Sequence, residues 1–102
     1  MREIKDFASD MKDELADAKK YARRALAFKD LDPEAAQEYY DLSTEELGHK
    51  DRLHKLAVRY IKKAGESGSP LVPGMKARYE DEHGELIEKE KEIRILLDMF
   101  RG

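Results

Sequence analysis

The stretch YYDLSTEELGHKDRLHKL, residues 39 to 56, combines a helix-periodic apolar line with two polar residues on that same line. Leu42 and Leu53 belong to a series spaced by three and four residues, which brings side chains onto one side of a helix. Glu46 and His49 occupy positions of this series where a core would normally hold Leu or Ile. A carboxylate and an imidazole three residues apart project from the same side, so both could bind one metal ion. The stretch therefore predicts a long helix with a polar pair in its inward face.

Helix breakers cluster at two other places and divide the chain into three segments. In the first cluster, Asp32 can cap a helix that begins at Pro33. The second cluster, residues 65 to 74, is rich in Gly, Ser and Pro and predicts a flexible loop. We therefore predict one all-α domain over residues 1 to 102, whose first two helices form an antiparallel hairpin. The predicted helices span about residues 3–29, 33–64 and 74–101.

Steps of three and four residues give each helix a predicted inward face. The predicted faces are Ile4, Phe7, Met11, Glu14, Ala18, Tyr21, Ala25 and Phe28 on the first helix, Tyr39, Leu42, Glu46, His49, Leu53, Leu56 and Tyr60 on the second, and Tyr79, His83, Leu86, Glu90, Ile93, Leu97 and Phe100 on the third. An unpaired carboxylate in an apolar interior costs several kcal/mol. The interrupting carboxylates therefore require a compensating group, and a cation is the strongest one.

The depth of each polar residue along the bundle predicts which of them meet. Glu14 lies about 17 residues before the first turn and Glu46 about 15 after it, a mismatch of roughly 3 Å at 1.5 Å per residue. Glu14 should therefore face Glu46 and His49. Glu90 falls near the same level and is a weaker candidate for the same site. His83 falls roughly one heptad away, so it is interpreted as a core or interface histidine, and His54 as a solvated or interface one.

Composition limits the alternatives. Charged residues make up 42% of the 102-residue chain, yet the net charge is only -3 and no basic stripe suggests nucleic-acid binding. With no Cys, thiolate zinc sites, iron-sulfur clusters and thiol nucleophiles are excluded. No apolar run approaches the roughly 20 residues of a membrane span, and no signal peptide opens the chain. We therefore expect a soluble, cytoplasmic protein.

One core Glu on the first helix and Glu-x-x-His on the second resemble the ferritin-like superfamily of di-iron carboxylate proteins. The resemblance covers roughly residues 4 to 64 and is greatest to the short, rubrerythrin-related encapsulated ferritins, in which two subunits pair to build one site. It implies that Glu46 is the bridging carboxylate, His49 the terminal nitrogen ligand and Glu14 the carboxylate of the facing helix. It further implies a bundle completed by dimerisation, with two iron ions per dimeric site, Mn or Zn as substitutes, and ferroxidase activity with O2 or peroxide.

Two features differ from that pattern. The third segment is longer than usual, and no short Gly/Leu-rich tail of the kind that docks such proteins into a protein shell is seen at residues 98 to 102. A symmetry mate or Glu90 could complete the site, and both options stay open. The rubredoxin-type iron site of rubrerythrins is absent because there is no Cys. The alternative is a non-catalytic helical bundle or adaptor, in which the buried Glu/His cluster is structural and the third helix is a docking surface.

Overall fold

The computed structural model describes residues 2–66 and 73–102, and in the third helix it describes side chains from residue 77 onward. It contains three helices, α1 (Arg2–Phe28), α2 (Pro33–Glu66) and α3 (Pro73–Arg101), and no strand in the described ranges. The predicted all-α class is confirmed, and every helix end lies within two residues of its predicted position. Of the predicted loop, residues 65–66 and 73–74 are helical, and residues 67–72 lie outside the described residues.

The turn between α1 and α2 is closed by a helix cap. The amide of Asp32 donates to the Phe28 carbonyl over 2.8 Å, and the Asp32 carboxylate accepts from the amide of Ala35 over 3.2 Å. Pro33 takes the first helical position, where a missing N–H costs nothing. The predicted cap is confirmed, and the short turn makes α1 and α2 antiparallel neighbours.

Small residues let α1 and α2 approach closely. The buried Ser43 hydroxyl donates to the carbonyl of Ala18 over 2.7 Å, so a side chain of α2 reaches the backbone of α1. Aromatic pairs mark the register on both sides of this contact. Phe7 packs edge-on against Tyr60, and Tyr21 stacks on Tyr39. The small residues buried along the hairpin are Ala8, Ala18, Ala22 and Ala25 on α1, and Ala36, Ser43, Ala57 and Ala64 on α2.

The third helix packs mainly against α1. Its buried residues Leu86, Ile93 and Leu97 join one core cluster with Met11 and Leu15 of α1 and with Leu47 of α2. In contrast, α2 and α3 meet largely through the ends of long side chains. The bridging pairs are Tyr40 with Phe100, His54 with His83, and Lys50 with Glu90.

The structure corrects two of the three predicted inward faces. On α3 the predicted face is right, because all seven of its residues are buried or half-buried. On α1 the buried line is Ile4, Ala8, Met11, Leu15, Ala18, Ala22 and Ala25, and the predicted residues Phe7, Glu14, Tyr21 and Phe28 lie half-buried beside it. On α2 the prediction is wrong, because the buried line Ala36, Ser43, Leu47, Ala57 and Ala64 lies beside the predicted face. Closely packed helices bury small residues at their line of contact, which displaces large residues to its flanks.

One side of the hairpin is consequently only partly covered. We call this side the open face and the opposite side, against which α3 packs, the closed side. Leu42 and Leu56 of the open face are each 37% exposed. None of the three helices contains, within the described residues, an apolar stretch of the length that a membrane span requires. The open face consists of Phe7, Glu14, Tyr21 and Phe28 on α1, and Tyr39, Leu42, Glu46, His49, Leu53, Leu56 and Tyr60 on α2.

Candidate metal centre

Glu14, Glu46 and His49 meet in the middle of the open face. One possible ligand atom from each residue lies within 4.8 Å of the other two. The Nδ1 atom of His49 is 3.4 Å from Oε2 of Glu14 and 3.8 Å from Oε2 of Glu46. The depth argument therefore predicted the correct neighbours, and their metal-binding role stays a prediction.

The cluster lies at the rim of the core and does not replace core residues. The side chains of Glu46, Glu14 and His49 are 18%, 27% and 51% exposed, whereas Leu15 and Leu47 beside them are buried. The prediction that Glu46 and His49 take buried positions of the core is therefore wrong. The physical reason is that the adjacent leucines occupy the core positions at this level. The cluster has an apolar base and a solvent-accessible outer side.

Two helices position the three ligand candidates. Glu46 and His49 lie one turn apart on the same side of α2, as their spacing requires. Glu14 lies opposite them because the Ser43 to Ala18 contact sets the register of α1 against α2. Both helices continue well beyond the cluster in each direction, so the three side chains are held by regular backbone.

The two neighbouring carboxylates, Glu14 and Glu46, disfavour each other's negative charge. A hydrogen bond with Glu14, burial, and the charge of Glu14 raise the pKa of Glu46 to about 7, and nearby His49 opposes this shift only in part. Near neutral pH Glu46 is therefore partly protonated. A divalent cation could take the place of that proton, because two carboxylate oxygens and one imidazole nitrogen suit Fe(II), Mn(II) or Zn(II). The donor set fits the predicted metals.

A hollow beside the cluster gives it access to solvent. It has a volume of about 260 Å³ and is lined by Glu14, His49, Arg52, Leu53 and Leu56. A hydrated cation and a small oxidant could both approach the ligands through it.

Glu90 is separated from this cluster. It lies on the closed side and forms ion pairs with Lys50 of α2 and, over 3.0 Å, with Arg94 of its own helix. Burial works against the charge of Glu90, but hydrogen bonds from Lys50 and Arg94 outweigh it and lower the pKa of Glu90. Glu90 thus has two cationic partners already, and the structure does not bring it to Glu46.

The remaining histidines form a pair that sequence reasoning missed. The rings of His54 and His83 stack with centroids 4.7 Å apart, and His83 stacks on Tyr79. His83 does lie away from the metal candidates, as its depth predicted. The signal that could have placed His54 and Lys50 is the series Ser43, Leu47, Lys50, His54 and Ala57, spaced by three and four residues.

Comparisons with protein-family models, with curated proteins and with solved structures give no match. The functional argument therefore depends on the geometry and chemistry of the cluster.

Proposed function

We propose that this protein is a ferritin-like metal-binding protein that binds iron through Glu14, Glu46 and His49 and oxidises Fe(II) with O2 or peroxide. The observation that carries the proposal is the convergence of these three groups from two helices, with ligand atoms within 4.8 Å of one another. The raised pKa of Glu46 supports it, since two crowded carboxylates favour a cation between them.

The three ligands lie on one side only, which leaves coordination positions open. Two ions about 3.5 to 4 Å apart require bridging and terminal ligands from both sides. A second copy of the open face would supply another Glu14, Glu46 and His49 and give six ligands. In the proposed reaction two Fe(II) lose one electron each, and O2 takes those two electrons and two protons to give H2O2. With H2O2 as oxidant, two electrons and two protons give two molecules of water.

The chain's own residues have separate roles in this proposal. Glu46, whose pKa is raised to about 7, would lose its proton on binding a cation, so metal uptake is expected to release protons near neutral pH. His49 supplies a nitrogen donor at the more exposed end of the cluster. Leu15 and Leu47 close the inner side and keep water from the base of the cluster.

A non-catalytic bundle is the second candidate. The contact that favours it is the 3.4 Å approach of His49 Nδ1 to Oε2 of Glu14, which partly satisfies the cluster without any ion. In that case the three residues would serve to fix the register of α1 against α2.

An anaerobic titration with Fe(II), followed by addition of O2, separates the two candidates. We expect the wild-type chain to bind about one iron per chain, consistent with a two-metal site shared by two copies, and to develop ferric absorbance after O2 is added. His49→Ala and Glu46→Gln should lose both properties. Glu90→Gln is the matched control, because it removes a carboxylate of the closed side. Sub-stoichiometric binding that His49→Ala and Glu46→Gln leave unchanged would support the structural role.

A further inference from the structure

A crevice lies between α2 and α3 on the closed side, with a volume of about 280 Å³. Its wall on α3 is formed by His83, Ile87, Glu90 and Arg94, which follow one another in steps of three and four and so share one side of the helix. Its wall on α2 includes His54, whose ring stacks on that of His83 and marks one end of the space. We call this space the crevice.

The inner side of the crevice is part of the core. Met11 of α1 and Leu86 of α3 line it, and they are only 1% and 4% exposed. Ile87 also lines it and remains 44% exposed, so it lies at the mouth. The crevice thus leads from solvent to apolar side chains of the core. A ligand that fills it needs an apolar body.

The end of the crevice away from the histidines is cationic. Lys50, Lys91 and Arg94 line it, and among the described residues of the lining Glu90 is the only carboxylate. Both oxygens of Glu90 are occupied, one by Lys50 and the other by Nε of Arg94 over 3.0 Å. Within the described chain, the terminal amino groups of Arg94 donate to no acceptor. Lys91 pairs with Glu88 in an exposed contact, which contributes little and is readily exchanged. This end can therefore accept one further anion.

The histidine end has buried polar atoms without partners. Within the described structure, Nδ1 of His83 and the hydroxyl of Tyr79 are buried and have no hydrogen-bond partner. Buried polar atoms of this kind are uncommon in folded proteins, and a water molecule or a ligand usually satisfies them. Burial lowers the pKa of His54, so its ring is uncharged at neutral pH. The histidine end therefore suits a neutral hydrogen-bonding group.

The distance between the two ends limits the shape of a ligand. His83 and Arg94 are separated by three turns of α3, roughly 16 Å along the helix axis. The long side chain of Arg94 shortens this distance, because side chains lean towards the N-terminus of their helix and its Nε already reaches Glu90. A flat ring with a polar group at each end matches this space, whereas a compact ion such as phosphate fills one end only.

We propose that the crevice binds a small aromatic carboxylate. Its carboxylate binds Lys91 and Arg94, and its ring covers Met11 and Leu86. A hydroxyl group on the opposite side of the ring meets Nδ1 of His83. Because the crevice is on the closed side, this binding does not depend on metal at the open face.

Titration of the metal-free chain with para-hydroxybenzoate, followed by NMR of the backbone amides, tests the proposal. We expect saturable shifts along the crevice with a Kd on the order of 1 mM or lower, since so small a ligand makes few contacts. Benzoate lacks the hydroxyl and should bind more weakly. Para-hydroxybenzamide lacks the charge and should bind about tenfold more weakly, because it loses a charge-assisted hydrogen bond. Acetate should cause no saturable shift. Equal binding of the benzoate and the benzamide would contradict the role of the cationic end.

Matched variants test where the ligand binds. Ile87→Trp places a large ring at the mouth of the crevice and should abolish saturable binding. Ile95→Trp makes the same change at a position that is 61% exposed and outside the crevice lining, so it should bind like the wild type. Arg94→Gln should weaken para-hydroxybenzoate about tenfold and leave para-hydroxybenzamide unchanged.

Circular dichroism checks that each variant is folded. A folded wild-type chain that does not bind para-hydroxybenzoate would overturn the proposal. Binding that Ile87→Trp leaves intact would do the same, since the ligand would then lie elsewhere.

Discussion

Glu46 and Glu90 lie at similar depth in the bundle, one on the open face and one on the closed side, and their surroundings have opposite effects. The main influence on Glu46 is another carboxylate, Glu14, and the pKa of Glu46 rises to about 7. The partners of Glu90 are Lys50 and Arg94, and the pKa of Glu90 falls in spite of its burial. On the closed side the Glu90 carboxylate is neutralised by two cationic side chains of the same chain. On the open face Glu46 instead lies beside a second carboxylate.

The same contrast applies to apolar residues. Ile93 on the closed side is completely buried, whereas Leu42 and Leu56 on the open face retain 37% of their exposure. The closed side thus contains the buried core, whereas Leu42 and Leu56 of the open face remain partly exposed. This difference is what we expect if the open face has a function outside the single chain, in binding metal and a second copy.

The largest expected effect concerns metal affinity. His49→Ala should weaken binding of Fe(II) or Mn(II) at least about 100-fold, because loss of an outer-shell partner alone costs roughly 10- to 100-fold. Glu90→Gln should leave affinity unchanged within a factor of about two. Isothermal titration calorimetry under anaerobic conditions measures both. Equal losses in the two variants would show that the cluster is not the site.

The next effect concerns stability of the metal-free chain. Ile93→Ala should lower the free energy of unfolding by about 2 to 5 kcal/mol, since it leaves a cavity in a buried core. Leu56→Ala should cost under about 1.5 kcal/mol in dilute protein, because the side chain remains partly in water. Urea unfolding of both variants at low concentration gives the comparison. A larger loss for Leu56→Ala would contradict the assignment of open and closed sides.

The two glutamates should also give opposite dependences on pH. Because the folded pKa of Glu46 lies above its unfolded value of 4.5, the stabilisation from its proton is complete below about pH 4.5 and is lost as pH rises through about 7. The pH dependence of the stabilisation from Glu90 has the opposite sign, because its pKa is lowered in the folded chain. It is present above about pH 4.5 and is lost as pH falls through its lowered pKa.

We therefore expect Glu46→Gln to raise the melting temperature of the chelator-treated protein at pH 8 and to change it little at pH 4. Glu90→Gln should lower the melting temperature at pH 8. Calorimetric scans between pH 4 and 8 measure both variants. The same sign for both at pH 8 would rule out the contrast drawn between the two carboxylates.

The smallest effect concerns the histidine pair on the closed side. Burial, and then the nearby His83 and Lys50, lower the pKa of His54, so the neutral form favours the folded chain. Stability should decrease slightly as pH falls below about 6.5, the unfolded value. His83→Phe keeps an aromatic ring in the stack and removes the imidazole that lowers the pKa of His54, so it should reduce this decrease. Melting temperatures at pH 7 and pH 5 test it, and an undiminished loss in His83→Phe would count against the stack as its origin.

The bounds of the helices and the meeting of Glu14 with Glu46 followed from the sequence, because both depend on local signals and on a constant rise per residue. The inward side of α2 was not predicted correctly from the sequence. Periodicity of large residues selected Leu42 and Leu53, whereas the line of contact holds Ser43 and Ala57, whose small size permits the close approach of the helices. Small residues carry little hydrophobic signal, so their role appears only when two helices are placed together.

The ion pair between Lys50 and Glu90 could not be predicted from the sequence either. It depends on how far α3 lies from α2, which is determined by the packing of Leu86 and Ile93 against α1. That packing is a property of all three helices, and no spacing within one helix encodes it.

Anomalous scattering at the iron edge tests the central claim most directly, with a crystal soaked anaerobically in Fe(II). The proposal predicts a strong peak among the side chains of Glu14, Glu46 and His49, at the contact between two copies of the open face. A map with no peak at these residues, or with iron bound at His54 and His83 of the closed side, would contradict it.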